Sequence, residues 1–355
     1  MSKFSKLIIG LLITALFCAL AEASVQGLFF LKHGYSFQQS LAYVPDPYLG
    51  WRVNPNYLGK NAFEIHNGFR GKAPKKPKPK GTYRIFCLGG STTFCRRVPA
   101  SASWPALLES QLNRGENPKR FEVINAGGDG YRIEQCLTWF EREIRSLEPD
   151  AIILHVGWNE IGIFGGRAAF FPLNVGNPMH RSERLLGLLV NHSLLACKIT
   201  GWYRRWNTGP KKDSRWAQQQ AILSFEPDFA LFENRLRMFV QLCSQEGIDL
   251  FLMRYPCLLT KTPTPQERLL VETYLPDLPD KEPLLYGIHQ KTLRVLEKVA
   301  AEEKVPLLDV AGDFEKIPLR ERIKLFSDPI HTTEAGNRRI AESAAEHYWG
   351  RPTLK

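Results

Sequence analysis

The chain has 355 residues, a mass of 40.5 kDa and a formal net charge of +11, with 44% hydrophobic and 23% charged residues. This composition is that of a globular protein with a large core, which excludes a mainly disordered chain. Its 27 glycines and 24 prolines follow no fixed period, which excludes collagen-like and short-repeat architectures. The basic excess is scattered and no nucleic-acid recognition motif accompanies it, so we expect no nucleic acid among its partners.

The N-terminus has the pattern of a targeting segment. An apolar span of 25 residues from Leu7 to Leu31 follows Lys3 and Lys6 and contains one charged residue, Glu22. Cleavage after Ala23 would fit a signal peptidase, whereas the whole span is long enough to cross a bilayer uncleaved. We favour a retained anchor. In both cases the rest of the chain lies outside the cytoplasm.

A region with interspersed prolines and glycines comes next and predicts an extended arm with about two short strands. The arm ends in a run of lysines that alternate with prolines. The run consists of Lys72, Lys75, Lys76, Lys78 and Lys80, with Pro74, Pro77 and Pro79. This pattern indicates a solvated, extended linker. Contact with anionic lipid headgroups or with an acidic glycan is the alternative interpretation.

From residue 82 onward, short apolar strands alternate with helices, which predicts βαβ units and a parallel sheet. The predicted strands are Tyr83–Leu88, Phe121–Ala126, Ala151–Val156, Asp249–Arg254 and Lys304–Val310. The predicted helices are 103–113, 132–147, 229–246, 286–303 and 334–348.

One stretch, from Gly165 to Pro227, interrupts this alternation and contains an amphipathic helix near 183–206. We interpret it as an inserted lid. The predicted division is therefore a signal peptide or transmembrane anchor at 1–32, the arm and linker at 33–81, and one domain at 82–355 with a lid-like insertion at about 165–227.

Polar or glycine-rich loops follow the predicted strands. Ser91 follows the first strand, Gly130 the second and Asn159 the third, while Asp328 and His331 precede the last helix. Each of these residues alone is explained by a turn or a helix cap. Their joint occurrence matters because open α/β sheets bind ligands at the carboxyl ends of their strands. The sequence therefore predicts one site at this edge of the sheet.

These residues resemble the motifs of the SGNH, or GDSL-like, hydrolase family of serine esterases. The resemblance extends from Thr82 to Glu346, and its motifs are LGGSTTF with Ser91, NAGGDGY with Gly130, GWNE with Asn159, and DPIH with Asp328 and His331. It implies a three-layer α/β sandwich with a central parallel sheet, the flavodoxin-like SGNH hydrolase fold. It also implies that Ser91, Asp328 and His331 are catalytic and that Ser91, Gly130 and Asn159 form an oxyanion hole.

The arm adds to this resemblance, and two positions depart from it. The segments 46–51 and 67–71 look like those of membrane-anchored bacterial members of the family. Gly90 stands where the family has an aspartate before the serine, and Glu160 stands where an aspartate follows the asparagine. Neither position supplies a catalytic group, so the departures leave the expected chemistry unchanged.

The residue types suit acyl transfer on chemical grounds as well. A serine hydroxyl is a weak nucleophile at neutral pH and needs an adjacent base, which His331 can supply. Asp328, three residues earlier, can hold the imidazole in the required tautomer. The N–H groups of Ser91 and Gly130 and the amide of Asn159 are donors for a developing oxyanion.

No cofactor and no metal are expected. The seven cysteines contain no C-x-x-C spacing, which argues against a zinc site, and one or two disulfides stay open for an exported chain. A histidine in the third strand, His155, is expected to belong to the core.

We therefore expect an exported serine esterase that acts on an ester such as an O-acyl glycan or a lipid. It would be membrane-anchored, or secreted if cleaved after Ala23. The first alternative is an O-acyltransferase that uses the same residues to move an acyl group to a glycan. The second is a non-catalytic binding or scaffold protein of the same fold. Neither the acyl chain nor the alcohol of the substrate follows from the sequence.

Overall fold

A computed structural model of the chain describes residues 2–58, 64–114, 119–161, 189, 192–207, 229–259, 264–265, 268–269 and 281–349. Most of the predicted insertion at 165–227 lies outside these residues, and so does the first part of its predicted helix. The described part of that helix is Leu194–Asn207.

The strands form a two-stranded hairpin and a seven-stranded sheet. The hairpin consists of β1 (Tyr43–Asp46) and β2 (Gly50–Val53). The sheet consists of β3 (Ile65–His66), β4 (Phe69–Arg70), β5 (Thr82–Gly89), β6 (Arg120–Gly127), β7 (Ala151–His155), β8 (Asp249–Met253) and β9 (Leu307–Leu308). Its order is β3-β4-β6-β5-β7-β8-β9, and strands β5 to β9 are parallel to one another. This is the flavodoxin-like order in which the second parallel strand lies outside the first.

The helices described are α1 (Lys3–His33), α2 (Ser91–Phe94), α3 (Trp104–Leu112), α4 (Ile133–Arg142), α5 (Leu194–Asn207), α6 (Phe229–Gln245), α7 (Lys281–Glu302), α8 (Val310–Glu315), α9 (Leu319–Arg322) and α10 (Glu334–Trp349). Helix α3 follows Ser103, whose backbone is extended, and has a proline in its first turn.

Alternate side chains of each parallel strand enter two different cores, which produces the three layers. On one face, Phe86 and Leu88 of β5 pack with the buried side chains of α4, α6 and α7. On the other face, Ile85 and Cys87 pack with those of α3 and α10. The predicted three-layer sandwich with a central, mostly parallel sheet is therefore confirmed.

Two predicted elements are shorter than expected. The last parallel strand was expected to extend over Lys304–Val310 but includes only Leu307 and Leu308. It is limited by the left-handed backbone of Lys304 (φ +56°) and by Asp309, whose side chain accepts from Gly312 N and so begins α8. The predicted helix 132–147 ends at Arg142, and a 3₁₀ turn over Ile144–Leu147 follows. Three residues per turn bring the buried side chains of Ile144 and Leu147 to the same side.

The arm contacts the domain more closely than an extended segment would. Strand β4 pairs antiparallel with β6, so part of the arm extends the main sheet. In the lysine run, Lys72 pairs with Glu109, and Lys78 Nζ lies 2.9 Å from Asp150. These carboxylates hold the segment against the domain, which differs from the predicted solvated linker. The domain boundary at residue 82 stays a prediction.

Helix α1 is the one described helix that is long and apolar enough to cross a membrane, with a mean hydropathy of 2.2 over 18 residues. None of its residues is buried. Both a signal sequence and an anchor have these properties. All seven cysteines are free thiols, so the disulfides that the sequence left open do not form here.

Candidate active site

The structure brings together three side chains that are far apart in the sequence. Ser91 begins α2 directly after β5, and Asp328 and His331 lie in the loop before α10. His331 Nε2 is 2.8 Å from Ser91 Oγ, and His331 Nδ1 is 2.8 Å from Asp328 Oδ2. With its proton on Nδ1, the imidazole donates to the carboxylate and accepts from the hydroxyl. This arrangement can remove the hydroxyl proton and hold it on the imidazole.

A local turn explains why Asp328 and His331 face the same side. Asp328 Oδ1 accepts hydrogen bonds from Ile330 N at 3.0 Å and His331 N at 2.8 Å. Ser327 N donates to His331 O at 2.8 Å and closes the loop. An aspartate that accepts backbone N–H groups two and three residues ahead forms such turns readily.

Asp328 is an ionised carboxylate although it is 4% exposed. Burial raises its pKa, but hydrogen bonds from the His331 side chain and from the backbone N–H groups of Ile330 and His331 outweigh burial and lower the pKa below its usual range. The charge of Asp328 is therefore available to orient the imidazole and to stabilise its protonated form.

Arg97 is a residue at this site that the sequence reasoning missed. Its Nη1 lies 2.6 Å from Asp328 Oδ2, the same oxygen that faces His331, and it also donates to Ser327 Oγ at 3.0 Å. The side chain of Arg97 is 42% exposed, so the pair lies at the edge of the site. The only signal in the sequence is the pair Arg96-Arg97 shortly after Ser91, and it indicated no partner.

The three predicted oxyanion donors belong to loops that follow three neighbouring strands. Ser91 is the first residue of α2, where an N–H has no acceptor within the helix. Gly130 has a left-handed backbone (φ +77°), which glycine adopts without strain. One N–H of the Asn159 amide donates to Tyr131 O at 2.7 Å. The amide has a second N–H for a ligand.

The structure explains why the residue before Ser91 is a glycine. A Cβ atom at Gly90 would lie 2.4 Å from Asn159 Nδ2, which is closer than real contacts allow. The absence of a side chain at Gly90 therefore lets the Asn159 amide approach the backbone beside Ser91.

The second departure, Glu160, also has a structural role. Its Oε1 accepts from Ile133 N at 2.6 Å and ties the Asn159 loop to the start of α4. Oε2 is buried and has no hydrogen-bond partner among the described residues. Burial raises the pKa of Glu160 to about 7. The carboxyl group is thus near its point of half-protonation at neutral pH.

His155 and Trp158 belong to the core around the site. His155 is 2% exposed, its Nδ1 lies 2.9 Å from Thr93 Oγ1, and burial lowers its pKa to about 3. It is therefore the neutral core histidine that the sequence predicted. Trp158 is buried and its ring contacts those of Tyr255 and His289. Among the described residues, no group of three or more His, Cys, Asp or Glu side chains could hold a metal ion.

The raised pKa of Glu160 predicts a pH-dependent stability. A carboxyl group whose pKa rises on folding keeps its proton when the unfolded chain has lost it. The free energy of unfolding therefore falls as the pH rises from the ordinary value of 4.5 to about 7. Glu160→Gln removes this titration. Between pH 4 and pH 8.5 its stability relative to the wild type should improve by about 3 kcal/mol.

Urea denaturation of both proteins at several pH values measures this difference. Glu141→Gln, at an exposed position of α4, is the matched control and should follow the wild type. Parallel pH curves for the wild type and Glu160→Gln would contradict the assignment.

Several solved structures are similar to this chain at low identity. An acetyl xylan esterase, AlAXEase, has a TM-score of 0.46 and 16% identity over 75% of this chain and 98% of its own. LAE5, an α/β hydrolase enzyme from the metagenome of Lake Arreo, Spain, has a TM-score of 0.44 and 15% identity over 75% of this chain and 94% of its own. Axe2, an acetylxylan esterase from Geobacillus stearothermophilus, has a TM-score of 0.45 and 13% identity over 75% of this chain and 93% of its own. No curated protein matches the chain.

A model of the GDSL-like Lipase/Acylhydrolase family matches residues 87–339, which is about 70% of the chain. This span contains Ser91, Gly130, Asn159, Asp328 and His331. The chain therefore belongs to the GDSL-like lipase/acylhydrolase family and is an ester-hydrolysing enzyme.

Proposed function

We propose that this enzyme is an exported, membrane-tethered serine esterase that cleaves the carboxylic ester of an O-acyl glycan or a lipid through an acyl-enzyme on Ser91. The observation that carries the proposal is the 2.8 Å contact between Ser91 Oγ and His331 Nε2. His331 is in turn 2.8 Å from the buried carboxylate of Asp328. An activated serine requires such a base and such an orienting group.

The reaction follows from these contacts. His331 takes the proton of Ser91 Oγ as the oxygen attacks the ester carbonyl carbon. The carbonyl oxygen becomes an oxyanion, which accepts hydrogen bonds from the N–H groups of Ser91 and Gly130 and from the Asn159 amide. His331 then gives its proton to the leaving alcohol as the ester C–O bond breaks. Water attacks the acyl-enzyme by the same route and releases the carboxylic acid. Asp328 holds the imidazole and stabilises its charged form.

The contacts of Glu22 support a retained anchor rather than a cleaved signal peptide. Its Oε1 accepts from Leu194 N at 2.8 Å, and its Oε2 from Leu195 N at 3.0 Å and Ser193 Oγ at 2.7 Å. The carboxylate therefore satisfies backbone donors at the start of α5 that have no acceptor within the helix. Cleavage after Ala23 would remove this carboxylate from the protein. The one charge in the apolar span thus has a partner in the insertion.

The dimensions of α1 agree with this interpretation. The 25 residues of the apolar span from Leu7 to Leu31 extend over about 37 Å in a helix, enough to cross the roughly 30 Å of a hydrocarbon core. With Lys3 and Lys6 on the cytoplasmic side, Glu22 comes about 24 Å beyond Lys6 along the helix, in the outer part of that core. The start of α5 would then lie at the outer membrane surface.

Three predictions test the proposed function, and the first concerns the oxyanion. Asn159→Ala should lower kcat by about 10²–10³-fold with little change in KM, because the amide bond to the oxygen strengthens in the transition state. Asn159→Asp, which keeps the shape but replaces the donor with an acceptor, should lose at least as much. Kinetics with a soluble ester, together with thermal unfolding, measure both. An activity loss no larger than the loss of folded protein would instead indicate a purely structural asparagine.

The second prediction separates hydrolysis from acyl transfer. The full-length protein in detergent should release free acid from a panel of short-chain acyl esters and acetylated sugars, and added glycan acceptors should not change this yield. Ser91→Ala should lower the rate by at least about 10³-fold. Ser110→Ala, an exposed serine on α3, is the matched control and should keep it.

Acyl groups that appear on the acceptor at the expense of free acid would support the transferase. A folded protein without turnover on any ester would support the non-catalytic alternative.

The third prediction concerns the anchor. The protein should fractionate with membranes and retain residues 1–23 by intact mass. Protease added from outside the cytoplasm should digest its body in spheroplasts. A soluble product that begins at Ser24 would reject the anchor and keep export. A body that resists digestion until the membrane is lysed would reject both.

A further inference from the structure

The loop that carries Gly130 is held by a residue of the arm. Trp51, in β2, donates from its indole Nε1 to Asp129 O at 2.9 Å. Tyr131 in turn donates from its hydroxyl to Trp51 O at 2.8 Å. Trp51 therefore binds the residue before Gly130 and the residue after it. Hydrogen bonds to the residues on both sides of Gly130 restrict the direction of the Gly130 N–H group.

The ring of Trp51 also lies against Gly130 itself. A Cβ atom at Gly130 would be 3.2 Å from Trp51 Cζ2. The indole ring makes an edge contact with the Tyr131 ring, with 6.0 Å between centroids. The left-handed backbone of Gly130 is thus enclosed by the arm on one side.

The same loop reaches the second oxyanion donor through Tyr131. Tyr131 O accepts from Asn159 Nδ2 at 2.7 Å, while the hydroxyl of Tyr131 is bound to Trp51. Tyr131 is 3% exposed, so its position is set by these bonds and by packing. Trp51, Tyr131 and Asn159 form one chain of hydrogen bonds from the hairpin to two of the three proposed donors.

A second contact joins the hairpin to the segment after Ser91. The hydroxyl of Tyr43, in β1, donates to Asp129 Oδ2, and Arg96 Nη1 lies 3.1 Å from the same oxygen. Burial, and then the negative charge of Asp129, raise the pKa of Tyr43 far above its usual range, so the hydroxyl remains a donor. Arg96 follows α2, which Ser91 begins. The carboxylate of Asp129 thus connects the hairpin with the helix of the nucleophile.

The hairpin has its own bracing. Arg52 Nε lies 2.7 Å from Asp46 Oδ2, and Arg52 Nη2 lies 2.5 Å from Glu143 Oε1 just beyond α4. The guanidinium of Arg142 stacks 3.3 Å from the centroid of the Tyr48 ring. These contacts fix the hairpin to the domain, and they do not involve the loop from Asp129 to Tyr131.

We propose that the β1–β2 hairpin, which follows the anchor in the chain, is a working part of the active site, with Trp51 and Tyr43 as positioning residues that hold the Gly130 N–H and the Asn159 amide on the oxyanion. This rests on the proposed function. Donors stabilise a transition state only if they are held in place before the charge develops. The loop from Asp129 to Tyr131 gains that rigidity from the arm.

Two conservative substitutions in the full-length protein test the inference. Trp51→Phe removes the indole donor and the contact with Gly130, and Tyr43→Phe removes only the hydroxyl. We expect kcat to fall about tenfold in Trp51→Phe and about three- to tenfold in Tyr43→Phe, because small displacements of a catalytic donor cost this much or more. KM should change less than about twofold in both, since the ground state uses these donors little.

Tyr83→Phe is the matched control. Its hydroxyl donates to Asp249 Oδ2 at 2.5 Å, a similar tyrosine–carboxylate bond at the opposite end of β5. This variant should lose as much thermal stability as Tyr43→Phe and keep kcat. Equal kcat values for Tyr43→Phe, Trp51→Phe and Tyr83→Phe would overturn the inference and leave the esterase intact.

Hydrogen exchange gives a readout that does not depend on turnover. The amides of residues 129–132 should exchange faster in Trp51→Phe than in the wild type, while those of α10 should not change. Unchanged exchange in this loop would overturn the inference even if activity were lost. A wild type without any esterase activity would instead reject the proposed function, and the exchange experiment would still decide the role of the hairpin.

Discussion

The parallel pairing of β5 with β6 and β7 is the constraint on which the site depends. Gly89, at the end of β5, lies opposite both Gly127 of β6 and His155 of β7. The loops that follow these strands therefore leave the sheet at the same level. This brings Ser91, Gly130 and Asn159 beside one another although 68 residues separate the first from the last. A shift of the register by one residue would turn every side chain of a strand to the other core, so packing fixes the alignment.

Three carboxyl groups near this edge of the sheet differ in how their negative charge is compensated. Asp328 faces His331, Arg97 and two backbone N–H groups, and it stays ionised. Asp129 faces the hydroxyl of Tyr43 and the guanidinium of Arg96.

Glu160 accepts one backbone hydrogen bond among the described residues and has a raised pKa. The cost of burying a carboxylate is offset where donors converge and is met by protonation where they do not. Arg96 and Arg97, adjacent in the chain, each pair with a carboxylate of a different loop at the candidate site.

Much of this architecture is predictable from the sequence because it is local. Periodicity identifies the strands β5 to β8, and the loops after them carry residue types with few other uses. Ser91, Asn159, Asp328 and His331 stand out for that reason, and the motif order connects them. The length of strand β9 was overestimated from the sequence because apolar residues continue into α8. Periodicity does not distinguish a strand from the start of a buried helix.

The contacts that the sequence did not indicate are long-range. Trp51 and Tyr43 reach a loop about 80 residues further along the chain. Arg97 contacts Asp328, which comes more than 200 residues later in the chain. No spacing rule links such pairs, since only the packed fold brings them together. The arm contains four short strands where the sequence predicted about two. Two residues, as in β4, are too few to show an alternating pattern, and their strand character comes from pairing with β6.

Reaction of the folded, full-length protein with a fluorophosphonate probe tests whether Ser91 is an activated nucleophile, because the probe captures an activated serine rather than an exposed one. We expect a single covalent adduct on Ser91, absent in Ser91→Ala and formed far more slowly in His331→Ala. Folded protein that stays unlabelled at every pH, or an adduct on any other serine, would contradict the assignment of Ser91 as the nucleophile.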